Sequence, residues 1–346
     1  MSGCTNVMES QIKAARIRAQ DAALSTLRRI GTVQKMFPAI NLGSYFEVPG
    51  ELPWINGEHR PNVAVFQNAD ILDPVTSWQH HLLRGGNIAP LAHETGTGRT
   101  MRVCLINAAH NERAGGDWQS AIGYQEDTIC RRSTLYHALT TPGPDEPRSN
   151  FFPIEGAGGI YSPSVIIHRD GPDNAYETYE TPDECTVISV ASVPPERTPM
   201  LSADGAYRFE LERELQQNKM KTALRIAANH GHRNIVIGSF GSVNREIPEY
   251  SARRHVRGGG AAALGPSVDE RRDINPVKEV ARMWCELLDD TNGEFAAHFD
   301  NVVFIVGVGQ RSTEEAHTLS RAFKLPDVPA LLKEWFPGEY DFAYMK

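Results

Sequence analysis

The chain has 346 residues and 40% of them are hydrophobic, which is enough to bury a substantial core in one large domain or two small ones. A formal net charge of −8 excludes a global field that would attract nucleic acid, and we expect no direct DNA binding. Five cysteines without a CxxC pair argue against a disulfide framework and against a zinc site. The first twenty residues contain no apolar segment, and the longest hydrophobic runs have strand length. We therefore expect an intracellular protein, cytoplasmic or nuclear, without a signal peptide or a membrane anchor.

The apolar pattern predicts alternating helices and strands. A helix is predicted over residues 9–30, where apolar side chains lie on one face and Arg and Gln on the other. Strands are predicted over 62–67, 102–107, 165–168, 186–192, 234–239 and 301–308. Helical patterns separate several of these strands, over 125–139, 208–230, 275–289 and 312–323. This alternation predicts an α/β fold with a largely parallel central sheet.

The most informative stretch follows the strand predicted over 102–107. Asn107 ends that strand, Gly115-Gly116-Asp117 forms a glycine loop, and Gln125-Glu126-Asp127 begins the next predicted helix. Glycines adopt φ > 0 without strain and leave their N–H groups open to a phosphate or a ribose. Two carboxylates in a first helical turn are stabilised by the macrodipole and would meet a sugar held by the loop. The pattern indicates a binding loop joined to an acid, although a plain turn before an acidic cap has the same sequence.

A second glycine loop, Gly238-Ser239-Phe240-Gly241-Ser242-Val243-Asn244, ends the strand predicted over 234–239. Ligands of open α/β sheets bind outside the carboxyl ends of the strands, where the two loops would meet. Backbone N–H donors of the second loop could hold the other side of a diphosphate, although taken alone this loop is also typical of a turn. After it, residues 245–273 are rich in Arg, Gly and Ala and predict a mobile insertion. Its arginines could reach a polyanion or simply be solvated.

Other chemistry-bearing residues are weaker candidates. The histidine pairs His80-His81 and His230 with His232 lack a convergent third ligand, so we expect no metal and no cofactor. Cys104 lies on a predicted buried strand and is interpreted as a core residue rather than a nucleophile. Trp118 follows the first glycine loop, where it could wall a ligand site or simply pack.

In their order along the chain, these motifs resemble the microbial-type poly(ADP-ribose) glycohydrolases, a family with a macrodomain fold. The segment Leu105-Ile106-Asn107-Ala108-Ala109 stands where the family has Leu-Asn-Phe-Ala, and the two triplets stand at its Gly-Gly-Gly and Gln-Glu-Glu. Similarity continues through 132–136, 160–163, 168–170, 189–195 and 235–241. The resemblance implies a macrodomain-like three-layer α/β/α fold with a mixed, largely parallel sheet. It also implies an N-terminal helical extension over 1–60, a catalytic, ADP-ribose-binding domain over 61–325 and a C-terminal extension over 326–346.

The same resemblance implies an ADP-ribosyl hydrolase that cleaves the O-glycosidic bond of poly- or mono-ADP-ribose on modified proteins. It further implies a monomer without a cofactor. Asp127 takes the place of the catalytic glutamate, Glu126 contacts the ribose, and Asp117 is a third candidate carboxylate. The implied substrate-binding residues are Asn107, Gly115, Gly116, Trp118, Gln125, Gly238, Ser239, Phe240, Gly241, Ser242, Val243 and Asn244.

Two departures from the family pattern bear on activity. Asp127 is one methylene shorter than glutamate, which leaves its carboxylate about 1.5 Å short. A misplacement of roughly 1 Å can cost on the order of 10²-fold in rate. Asp117 replaces the third glycine, and the same segment resembles macrodomains that remove single ADP-ribose units, in which an Asp in this loop helps catalysis. An ADP-ribose-binding reader with little activity is therefore the alternative, and a structural protein that has lost the ligand is a third.

Overall fold

The structure is a computed structural model that describes residues 2–53, 55, 59–68, 70–85, 101–119, 125–196, 199–242, 275–307 and 310–325. Within these residues, seven strands form one sheet: β1 (Tyr45–Glu47), β2 (Asn62–Gln67), β3 (Cys104–Ala108), β4 (Gly159–Ile167), β5 (Thr186–Val193), β6 (Asn234–Ile237) and β7 (Asn301–Val306). The α-helices in the same ranges are α1 (Ser2–Met36), α2 (Leu72–Gly85), α3 (Gln125–Arg132), α4 (Leu135–Thr140), α5 (Glu210–Asn229), α6 (Val277–Leu288) and α7 (Gln310–Ala322).

The strand order is β1-β4-β5-β3-β6-β7-β2. Five neighbouring strands, from β5 to β2, run parallel, while β4 is antiparallel to both β5 and β1. The carboxyl ends of β3, β5 and β6 therefore lie together at the centre of one edge of the sheet. Both glycine loops begin at this edge of the sheet, which agrees with the sequence prediction.

Helices cover both faces of the sheet, because successive strand residues point to opposite sides. Leu105 of β3 packs in a core cluster with residues of α2, α3 and α4. Ile106, its neighbour, packs in a second cluster with residues of α5, α6 and α7. The two clusters make three layers, and the predicted α/β/α fold with a mixed, largely parallel sheet is confirmed.

The long N-terminal helix α1 is tied to the layer that contains α3. Thr26 Oγ1 donates a hydrogen bond of 2.6 Å to the carbonyl of Arg131, and Arg169 Nη1 donates one of 3.1 Å to the carbonyl of Ala22. Near its end, Val33 belongs to a small buried cluster with Ile166 of β4. Helix α1 thus packs against the same layer as the candidate catalytic helix; the domain limits at 60 and 325 stay predictions.

The helix predicted over 125–139 is interrupted, which corrects the sequence prediction. Helix α3 ends at Arg132 because the next two residues bond elsewhere. Ser133 pairs with Ile167 in an isolated bridge, and Thr134 exchanges two hydrogen bonds of 3.0 Å with Ile166. Backbone pairing with β4 therefore competes successfully with helix continuation, which leaves α3 as a short helix that starts at the first glycine loop.

Other boundaries also differ from the predictions. The N-terminal helix extends beyond 9–30 at both ends, β4 begins at Gly159 rather than 165, and β6 and β7 each end two residues early. The patterns did not predict the short edge strand β1 or helix α2. The predicted Arg-rich insertion over 245–273 and the extension over 326–346 lie outside the described residues. Across the described part of the chain, no helix is both long and apolar enough to cross a membrane.

Candidate active site

Glu126 is held in place at the carboxyl end of β3. Its Oε1 accepts a hydrogen bond of 3.2 Å from Asn107 Nδ2, and its Oε2 accepts one of 2.9 Å from the backbone N–H of His110. The same Asn107 Nδ2 donates a hydrogen bond of 3.1 Å to the Oγ of Ser192, which lies opposite Asn107 on β5. Since Glu126 is only 4% exposed, these contacts fix a buried carboxylate at the end of the two central strands.

Asp127 follows directly in the first turn of α3 and is 1% exposed. Two carboxylates at a helix N-terminus are stabilised by the unpaired N–H groups and by the macrodipole. The structure therefore buries both predicted acidic residues in the first turn of α3.

The first glycine loop is supported from beneath by core side chains. Gly115 and Gly116 have φ of +65° and +54°, which L side chains rarely adopt. A Cβ at Gly115 would lie 2.7 Å from Trp118 Cδ1 and 3.0 Å from Cys130 Sγ. Trp118 is 1% exposed, and its ring lies 4.9 Å from that of Tyr136. The side chain of Trp118 thus packs in the core instead of walling the site, because the loop folds back over it.

Cys130 lies between this loop and the carboxylates. Burial raises the pKa of its thiol well above the usual value, and the charges of Glu126 and Asp127 raise it further. The pKa of Cys104 on β3 is also raised by burial. Both groups are therefore neutral thiols at physiological pH, in keeping with core positions rather than with nucleophiles.

Asp117 occupies a different environment from the other two acids. It is exposed, and its carboxylate pairs at 2.6 Å with the guanidinium of Arg113, four residues earlier. Each side chain of this pair is about half exposed, at 52% and 53%. The predicted third catalytic carboxylate therefore lies in a solvent-exposed ion pair, whereas Glu126 and Asp127 are buried.

The two glycine loops meet through Gln125. A Cβ built on Gly238 would lie 1.7 Å from Gln125 Oε1, so a larger residue here would displace the Gln125 side chain. On its other side, Gln125 Nε2 contacts the carbonyl of Ile305 on β7 at 3.4 Å. The first residue of α3 therefore lies against the first residue of the second loop, and the structure joins the two predicted halves of the site.

In residues 239–242, backbone carbonyl groups and backbone N–H groups differ in their hydrogen bonding. The carbonyl of Phe240 accepts a hydrogen bond from Gln216, and that of Gly241 accepts two from Asn275. No acceptor within the described ranges pairs with the backbone N–H groups of 239–242. With carbonyls bound to the protein body and N–H groups left over, the loop has the donor pattern of an anion-binding nest.

Three side chains of this loop are bound to the protein body. Phe240 is 1% exposed and packs edge-on against Trp284 of α6, with ring centroids 5.7 Å apart. Only its backbone is left for a ligand, because the ring fills the core. Ser239 and Ser242 donate hydrogen bonds to Glu315 of α7. Val243 and Asn244 lie outside the described residues.

Several residues of the site were not found from the sequence. His110 supplies a backbone donor to Glu126, a role that carries no side-chain signal. Ser192 stands at the end of a predicted strand, and a comparison of strand ends could have paired it with Asn107. Gln216, Asn275 and Glu315 come from three distant segments that only the fold brings to the second loop.

One part of the chain matches a family model. Residues 84–170 match the family model described as microbial-type PARG, catalytic domain, where PARG is poly(ADP-ribose) glycohydrolase. This range contains the first glycine loop and α3 with both buried acids. Over these residues, the resemblance to the microbial-type poly(ADP-ribose) glycohydrolases is confirmed. The same match supports the prediction of a glycohydrolase-type enzyme.

Solved structures agree on the fold. The poly(ADP-ribose) glycohydrolase from Thermomonospora curvata is 19% identical with a TM-score of 0.58, over 89% of this chain and 100% of that chain. Its complex with the inhibitor ADP-HPD gives 0.54 at the same identity and coverage. A mutant of the enzyme from Deinococcus radiodurans in complex with ADP-ribose is 18% identical with a TM-score of 0.50, over 83% and 96%. No curated protein sequence matches the chain.

Proposed function

We propose that this protein is an ADP-ribosyl hydrolase, which cleaves the O-glycosidic bond of poly- or mono-ADP-ribose on proteins and releases ADP-ribose. The observation that carries the proposal is the buried pair Glu126 and Asp127 at the start of α3, a helix whose Cys130 lies against Gly115 and whose Gln125 lies against Gly238. A glycosidic bond needs a proton donor and a group that stabilises the ribose as positive charge develops on it. The buried pair supplies both kinds of group.

The contacts of the two acids favour different roles. Both carboxylate oxygens of Glu126 accept hydrogen bonds, which favours its charged form and a fixed position. Glu126 then orients the ribose and stabilises its developing positive charge. Asp127, next to that charge and buried, is the general acid that protonates the leaving oxygen and afterwards the base that activates water.

The ADP-ribose ligand would lie across the edge of the sheet. Its diphosphate would accept hydrogen bonds from the backbone N–H groups of 239–242, and its distal ribose would lie over Gly115 and Gly116. A relative from Deinococcus radiodurans, with 18% identity, has been crystallised with ADP-ribose, which supports this choice of ligand. We further propose that the protein acts as a monomer on ADP-ribosylated proteins.

A reader of ADP-ribose with little activity is the second candidate, because one observation favours it. The residue at the family's catalytic glutamate is Asp127, whose carboxylate is about 1.5 Å shorter in reach. Loop contacts to a ligand survive such a change, whereas proton transfer does not tolerate misplacement.

Calorimetric titration with ADP-ribose tests the proposed ligand. In Gly116→Glu, the added Cβ would lie 3.3 Å from Cδ2 and 3.4 Å from Cβ of His110, and the side chain would bring negative charge to the loop. We expect ADP-ribose binding to be lost. Gly231→Glu is the matched control, since Gly231 also has positive φ, +72°, but lies at the amino end of β6. Equal binding by the parent and Gly116→Glu would refute this ligand position.

A further inference from the structure

Glu315 is a buried acid beneath the second glycine loop. It comes from α7, is 4% exposed, and accepts a hydrogen bond of 2.7 Å from Ser239 Oγ on one carboxylate oxygen. Ser242 Oγ donates to the other carboxylate oxygen. The two serines lie on either side of residues 240–241. The Glu315 side chain therefore binds both ends of the segment whose backbone N–H groups are proposed to bind a ligand.

Residues from two other segments donate hydrogen bonds to the carbonyl groups of the loop. Gln216 Nε2 of α5 donates to the carbonyl of Phe240 at 3.1 Å, and Asn275 donates to that of Gly241 from its backbone and its side chain. Every one of these contacts turns a carbonyl or a hydroxyl towards the protein body. Among the residues that the structure describes, none accepts a hydrogen bond from the backbone N–H groups of 239–242, so these groups are the donors left for a ligand.

We propose that Glu315 is a positioning residue, which holds residues 239–242 in the conformation that binds the diphosphate of ADP-ribose. The identity of the ligand rests on the proposed function, whereas the loop conformation does not. A loop that is ordered before the ligand arrives avoids the entropy cost of ordering on binding. Burial raises the pKa of Glu315, while the hydrogen bonds from Ser239 and Ser242 act in the opposite direction.

Two measurements on Glu315→Ala test the proposal. Hydrogen exchange of the ligand-free protein reports the order of residues 239–242, and calorimetry reports ADP-ribose affinity at a temperature far below unfolding. Because bonds to a buried acid are lost, we expect exchange at these amides to rise and ADP-ribose affinity to fall, each by about tenfold or more. Glu315→Gln should restore both, since its amide accepts from one serine and donates to the other.

Glu314→Ala is the matched control, because Glu314 is the exposed neighbour on the same helix and should behave as the parent. If Glu315→Ala does not fold, the double variant Ser239→Ala with Ser242→Ala removes the same two hydrogen bonds and keeps the acid. A lowered melting temperature with unchanged exchange and affinity would show a merely structural role and overturn the proposal. A parent protein that does not bind ADP-ribose would overturn the proposed function and the diphosphate assignment, while exchange would still decide whether Glu315 orders the loop.

Discussion

Asn107 and Glu126 are joined by a hydrogen bond of 3.2 Å between the amide nitrogen of one and the carboxylate of the other. This contact ties the end of β3 to the start of α3. The other amide atom, Asn107 Oδ1, is buried and has no hydrogen-bond donor within the described residues. An unpaired buried acceptor costs about 1–3 kcal/mol. A ligand hydroxyl that donates to Oδ1 would remove this cost, and in the proposed complex this hydroxyl would belong to the ribose.

Asn107→Ala should therefore lower turnover. Without the amide, Glu126 loses one of its two donors and the ribose loses an acceptor, and we expect a fall in kcat/KM of about 10- to 100-fold. Steady-state release of ADP-ribose measures this. Asn62→Ala is the control, because Asn62 also bonds through its side chain but at the amino end of β2. Turnover equal to that of the parent would contradict the role given to Asn107.

Asp117→Asn should change turnover by less than about threefold, because its exposed ion pair with Arg113 is of a kind that contributes roughly 0–1 kcal/mol. The measurement is the same release assay at low and at physiological salt. Loss of turnover in this variant, with Asp127→Asn still active, would move the catalytic carboxylate to the glycine loop.

Stability should depend on pH through Glu315. Burial raises its pKa in the folded protein above the usual 4.5. Its contribution to stability is therefore fully present below about pH 4.5 and is lost as pH rises through the raised pKa. Glu315→Gln has no such titration, so the parent should lose stability relative to this variant as pH increases. Thermal unfolding of both proteins between about pH 4.5 and 8 measures the difference, and parallel profiles would contradict a raised pKa.

Local patterns were sufficient to predict the α/β fold and the position of the first glycine loop after β3. Gly115-Gly116 and the acids after them are contiguous in sequence, and the end of a parallel strand is a known position for ligands. The break after Arg132 could not be predicted, because Ser133 and Thr134 bond to β4, some 30 residues away. Burial of Trp118 and Phe240 depends on helices from elsewhere in the chain. For the same reason the role of Glu315 could not be predicted, because it is distant in sequence from the loop that it contacts.

Asp127→Glu distinguishes an enzyme adapted to aspartate from a reader that has lost activity. In the adapted enzyme the longer side chain misplaces the carboxylate, and we expect the rate to fall by roughly 10- to 100-fold. In a reader, the same change restores the family's acid and raises the rate from near zero. Single-turnover release of ADP-ribose measures the chemical step without product release. A rate above that of the parent would favour the reader.

Release of ADP-ribose from poly- and mono-ADP-ribosylated proteins, compared between the parent and Asp127→Asn, is the most direct test of the hydrolase. The amide keeps the shape of the side chain and cannot deliver a proton. We predict that the parent releases ADP-ribose and that the variant loses on the order of 10²- to 10⁴-fold in rate, with ADP-ribose affinity within about threefold. Release by the variant at the parent's rate, or no release by the parent from either substrate, would contradict the account.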